Sequence, residues 1–180
     1  MNMKNLFLTL SVLLISLNSN AQNDSIAVSQ MKELGVYYIE NSNLKQISPI
    51  TPEGARGSVG FMKVKGSLEY LGENSDNILP SNIELYVYIP SMYKNNINAK
   101  QFRLVELTAK KGMRRLKTVS GKLFSSKAGT DNSVMQIKQL DDNCYKMFLN
   151  EPLEEGHYGV FYNYGGGVPA KLYDFDVVNK

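Results

Sequence analysis

The chain predicts an all-β fold: an antiparallel β-sandwich of Ig-like or Greek-key kind, preceded by a cleaved signal peptide. Three observations carry this. Apolar residues recur with period two more often than with period 3.6. Turn-forming residues interrupt the pattern every 10 to 15 residues. One late strand opens on L-x-x-G-x-Y, at Leu153, Gly156 and Tyr158.

The first 21 residues have the layout of a secretory signal. Lys4 supplies a positive start, residues 6–17 form an apolar run of about a dozen residues, and Ser19 and Ala21 place small side chains before a cut at Gln22. The run falls short of the roughly 20 residues a spanning helix needs, and no cysteine stands at the cut to carry a lipid. The expected address is outside the cytoplasm: periplasmic, outer-membrane-associated or extracellular. Removing 21 of the 180 residues leaves 159, enough for one domain with a real core. The remaining charge is near balance, which argues against nucleic acid, and no second long apolar stretch remains to span a membrane. Cys144 is the one cysteine, so the domain is held by its core rather than by an internal disulfide.

Residues 22–33 contain "SIAVSQMKEL", a short helix or a disordered lead-in. Residues 34–180 are read as the single β domain. "GVYYIENSNLKQI" gives two short strands around the turn formers Glu40, Asn41, Ser42 and Asn43. "EGARGS" (53–58) and "LGENSDN" (71–77) read as exposed loops. "IELYVYIP" is the clearest strand. Ile83, Leu85, Val87 and Ile89 share one face and Glu84, Tyr86 and Tyr88 the other, between Pro80 and Pro90. "QFRLVELTAKKGMRRLKTVSG" reads as a hairpin turning at Gly112. "VMQIKQLDDNCYKMFL" reads as another, turning at Asp141, Asp142 and Asn143, with Tyr145, Met147 and Leu149 on one face. "HYGVFYNY" and "KLYDFDVV" are the last strands, joined through the glycines at 165–167 and Pro169.

L-x-x-G-x-Y before a strand resembles the tyrosine corner of Greek-key sandwiches, in which the tyrosine hydroxyl bonds back to the backbone a few residues upstream. Gly156 then suits a tight turn through its tolerance of positive φ. The ring of Tyr158 belongs in the core, with Val160 on the same face.

The wider layout resembles an uncharacterised family of small secreted bacterial β-sandwich proteins from Bacteroidota. Gly35-Val36-Tyr37-Tyr38 matches its opening. Pro80 with Tyr86 and Tyr88 matches its aromatic strand, and Phe102, Leu104 and Val105 followed by Arg114 and Arg115 match its basic hairpin. Pro152 through Tyr158, and Asp174 through Val177, match its close, with Asp176 standing where a glycine is common. The resemblance implies a fold and no activity. A shorter stretch, G-x-Y-x-V followed by glycines and Lys171-Leu172, resembles the sorting module of type IX secretion cargo. Y-P-N-P is absent from it, and eight residues follow Leu172.

Candidate chemistry is sparse. His157, the one histidine, falls on the strand face opposite Tyr158 and is read as a bystander facing out. Cys144 and His157 are the alternative, a thiolate–imidazole dyad on neighbouring strands for a thiol-dependent or hydrolytic enzyme. Asp174 and Asp176 share a face and read as solvated. No calcium loop or phosphate-binding glycine motif occurs in the sequence, so no metal or cofactor is expected. Two features suit binding. One is a basic hairpin tip, Lys110, Lys111, Arg114, Arg115 and Lys117, able to meet an acidic partner or to guard a sheet edge. The other is the tyrosine pair Tyr86 and Tyr88, a platform for a sugar or protein if exposed and core if covered. The reading is a non-enzymatic binding or structural module of the cell envelope, with a protein or glycan partner.

Overall fold

The computed structural model describes residues 22–60, 63–119, 122–123, 135–162 and 171–178. The expected signal peptide and the glycines at 165–167 lie outside them. Within the described residues the chain is mostly β: a helix, α1, at residues 22–30, two 3-10 turns and thirteen strands in two sheets.

The first sheet has the order β10 (Met135–Gln139), β11 (Cys144–Leu149), β6 (Glu84–Tyr88), β1 (Gly35–Glu40), β2 (Asn43–Ile47), antiparallel throughout. The second has the order β3 (Gly54–Gly60), β4 (Lys63–Leu71), β8 (Met113–Val119), β7 (Arg103–Lys110), β12 (Gly156–Tyr162), β13 (Lys171–Val177), β5 (Ile78–Leu79). β9 (Lys122–Leu123) also pairs with β8, and β5 joins β13 in parallel.

Two hairpins close on two-residue turns. Asn41 and Ser42 sit at φ 50° and 63°, and Lys111 and Gly112 at 56° and 75°. Positive φ at both central positions matches the right-handed strand twist. These turns and the one at Asp141 to Asn143 fall where the sequence places them.

The facing sides of the sheets share one apolar core. Val36, Leu85, Val87 and Met147 come from the first sheet, and Leu104, Tyr158, Val160, Tyr173 and Phe175 from the second. Tyr158 is paired across the ladder with Phe175 and stacks on it at 6.0 Å. The alternation in "IELYVYIP" is therefore real, with Ile83, Leu85, Val87 and Ile89 all in this core.

Both outer faces are covered as well. α1 lies on the outside of the first sheet, where Ala27 and Met31 pack with Tyr37, Tyr86 and Cys144. On the outside of the second sheet, β7 and β8 stay paired only from Thr108↔Arg115 to Lys110↔Met113. Beyond that they part, and Leu116 of β8 and Tyr70 of β4 pack onto Val105, Leu107, Phe161 and Leu172. The β4–β8 layer thus folds back as a flap. This corrects one expectation: residues 53–58 are not an exposed loop but lead into β3, the outer strand of that flap. Among the described residues no helix is long and apolar enough to cross a membrane.

Candidate functional site

The tyrosine corner is present. The Tyr158 hydroxyl donates to the Glu154 carbonyl at 3.1 Å, and Leu153, buried, donates its N–H to Ser81 O at 2.8 Å. Gly156 has no positive φ, so turn strain is not what requires it. The Tyr158 ring folds back over it, and a Cβ at Gly156 would stand 3.4 Å from the ring, close to an ordinary contact.

The remaining sequence candidates are largely internal. Tyr86 is 1% exposed beneath α1 and Tyr88 is half-buried beside it, so no open tyrosine pair exists. The cover is the helix, whose Ala27 completes that face together with Met31 just after it. Among the described basic residues of the hairpin tip, Lys110 and Lys111 are exposed and Arg114 and Arg115 are not. Arg114 is buried against Asp174, and its second amino group donates to Leu71 O at 3.1 Å. Arg115 is ion-paired with Glu69 at 2.9 Å. Nothing is described of the Lys117 side chain.

Asp174 and Asp176 are not a solvated face. Both are buried, because the flap and the 72–77 loop close over that side of β13. Asp176 accepts from the Ser75 N–H at 2.9 Å and pairs with His157 Nδ1 at 2.8 Å. His157 is therefore tethered, with a quarter of its side chain exposed. Ser75 Oγ and Asn77 Nδ2 both donate to the Asp174 carbonyl.

Cys144 and His157 are not on neighbouring strands. Cys144 opens β11 in the first sheet, fully buried under α1, and His157 lies in β12 of the second. Burial pushes the Cys144 thiol up to about 12, with Asp141 and Asp24 adding to the effect. A thiol so placed is the opposite of an activated nucleophile.

The site the fold does build is a notch at one end of the first sheet. The β1–β6 ladder stops at Tyr38↔Leu85, although β1 continues to Glu40. Glu84, which would face Ile39 in the same register, is not paired with β1. The gap is a cavity of about 270 Å³ lined by Asn23 of α1, Tyr38 of β1, and Pro80, Asn82, Glu84 and Tyr86.

A charge network stands behind it and reaches the notch through Glu84 and Tyr86. Lys146 of β11 stands opposite Tyr86 in the ladder, with its ammonium 5.8 Å from that ring. Lys146 Nζ lies 2.9 Å from both Asp24 Oδ1 and Glu84 Oε2. The Tyr86 hydroxyl donates to the same Asp24 oxygen at 3.1 Å. Burial alone would lower the Lys146 pKa, but the two carboxylates outweigh it and hold the ammonium above its ordinary 10.5. Burial, followed by the charges of Asp24 and Glu84, raises the Tyr86 phenol, which stays neutral.

None of Asn23, Asp24, Tyr38, Asn82, Glu84 and Lys146 stands among the binding candidates of the sequence, where Tyr38 and Glu84 figure only as strand residues. They come from four separate segments, and no local motif joins them. The one available signal was polar residues inside apolar strands: Glu84 beside "LYVYI" and Lys146 inside "CYKMFL". Comparison with family models, curated proteins and solved structures returned no match.

Proposed function

We propose that this chain is an exported β-sandwich module of the Ig-like or Greek-key kind. It acts without catalysis in the cell envelope and binds a partner molecule in the notch. The carrying observation is the notch itself: a preformed concavity of about 270 Å³ with convergent amide, carboxylate and phenol-bearing side chains from α1, β1 and the start of β6. That combination of concavity with a few convergent polar groups is how small-ligand sites are built. The export signal in residues 1–21 supports the address.

The thiol-enzyme reading has less support. It needs Cys144 ionised and within reach of His157, whereas the thiol is buried in one sheet and the imidazole is tethered to Asp176 in the other. The sorting-module reading needs a separable C-terminal unit. Lys171 and Leu172 instead begin β13, which is paired on both sides, and Leu172 is fully buried.

The test is a screen of a small-molecule fragment library against the 15N-labelled chain beginning at Gln22. Binding is expected to shift the amide signals of Asn23, Asn82 and Glu84, and Asn82→Trp, which fills the notch, is expected to remove the response. A library that shifts no notch signal would refute the reading.

A further inference from the structure

We infer that the notch takes an uncharged terminal sugar residue of a glycan. This rests on the binding-module reading above and adds the chemistry of the ligand.

The charges at the notch decide against anions. Glu84 is the charged residue of its lining, and Lys146 behind it, with 8% of its side chain exposed, is spent on Asp24 and Glu84. Two carboxylates against one ammonium leave a net charge of −1. A uronate, sialate or phosphate entering here meets that excess and finds no free cation in the network. A sulfate- or phosphate-bearing ligand is disfavoured for the same reason.

The shape decides against a peptide strand. Adding a strand requires a free ladder edge several residues long. β1 and β6 are both interior strands of their sheet, and the notch opens only where their mutual ladder ends.

What remains on the walls matches a pyranose. Asn23 and Asn82 carry amides that both donate and accept, and Glu84 accepts, which suits vicinal hydroxyls. Pro80, Ile39 and Ile83, with the half-buried Tyr38, give the notch apolar lining for the C–H side of a sugar ring. The cavity sits just under the usual range of about 300–1,000 Å³ for small-molecule sites, a size for one ring rather than a buried chain. It opens at the strand ends, so a glycan enters by its terminus.

The experiment titrates the 15N-labelled chain with the methyl glycosides of glucose, galactose, mannose and N-acetylglucosamine, and with glucuronate and sialate. At least one neutral glycoside is expected to shift Asn23, Asn82 and Glu84 with a roughly millimolar Kd, as one small ring affords. Both acids are expected to bind at least tenfold more weakly. Asn82→Ala is expected to weaken the neutral sugar about fivefold, the effect of one hydrogen bond, with an unchanged melting temperature because Asn82 is exposed.

Acid binding as tight as neutral binding would overturn the inference. So would the failure of all four glycosides in a protein whose notch signals still respond to the fragment library, an outcome that leaves the binding-module reading standing. If neither sugars nor fragments move those signals, both fall.

Discussion

The Tyr158 hydroxyl donates to the carbonyl of Glu154, four residues back, at 3.1 Å. Tyr37 does the same to Glu33 at 2.8 Å in the other sheet. The two corners share one sequence, E-x-G-x-Y, at Glu33-Leu34-Gly35-Val36-Tyr37 and Glu154-Glu155-Gly156-His157-Tyr158. In each the glycine lies under the tyrosine ring: a Cβ would meet the ring at 3.3 Å at Gly35 and 3.4 Å at Gly156. Each corner pins the entry of a strand, β1 against α1 and β12 in the inter-sheet core.

Removing either hydroxyl, by Tyr37→Phe or Tyr158→Phe, should cost about 0.5–1.5 kcal/mol, the net value of one hydrogen bond. Tyr158→Ala removes a buried, stacked ring as well and should cost about 3–5 kcal/mol. Urea midpoints measure both. An unchanged midpoint for Tyr158→Ala would mean that the corner does not organise the strand.

Two glycines of β12 should respond differently to a methyl group. At Gly159 a Cβ would lie 2.6 Å from Leu172 Cδ1 and 3.2 Å from the Tyr173 carbonyl, so the fully buried Leu172 side chain must shift and the β13 backbone give slightly. Gly159→Ala should destabilise by about 1–3 kcal/mol through overpacking. At Gly156 the same methyl makes near-ordinary contacts, and Gly156→Ala should stay within about 1 kcal/mol of the parent. Thermal melts of the two variants side by side give the comparison, and equal losses would contradict it.

Arg114 and Asp174 tie the flap to β13 across a buried interface. Arg114→Met leaves a carboxylate buried without its cation and should cost about 3–5 kcal/mol, with Asp174→Leu costing a similar amount. The double variant should lose much less than the sum, because no unpaired charge remains. A double-mutant cycle by urea unfolding measures the coupling, and strict additivity would show that the pair does not act as one.

Most of the strand pattern was readable because each signal is local. The alternation of Ile83, Leu85, Val87 and Ile89 and the turns at Asn41-Ser42 and Lys111-Gly112 need only neighbours in sequence. β4 also carried a signal, the alternation of Val64, Leu68 and Tyr70 in "KVKGSLEYL", obscured by its lysines and glycine. Burial of the second faces was not local. Whether Tyr86 faces water depends on where α1 docks, and whether Asp174 is solvated depends on the path of the β4–β8 flap. The notch is harder still, since its lining and the charges behind it come from four segments, and Asp24 and Glu84 find their cation only where β11 brings Lys146 beside them.

Cys144 reports on α1 and on alkaline stability. Burial lifts its thiol from 9.0 to about 12, so the folded protein keeps a proton that the unfolded chain releases above about pH 9. Where the folded state binds more protons, stability falls as pH rises. The loss should begin near pH 9 and steepen past pH 10, where the buried phenols Tyr37, Tyr70, Tyr86 and Tyr158, also raised, join it. Cys144→Ala should flatten the first part of that fall and leave the second, as seen in urea midpoints across the range. Iodoacetamide at pH 7 should leave the native thiol unlabelled. Ala27→Glu forces a carboxylate into the fully buried contact of α1 with the sheet, and it should make Cys144 react at a rate approaching that of the urea-unfolded chain. Retained protection in Ala27→Glu, with near-native circular dichroism, would show that the thiol is shielded by something other than the helix.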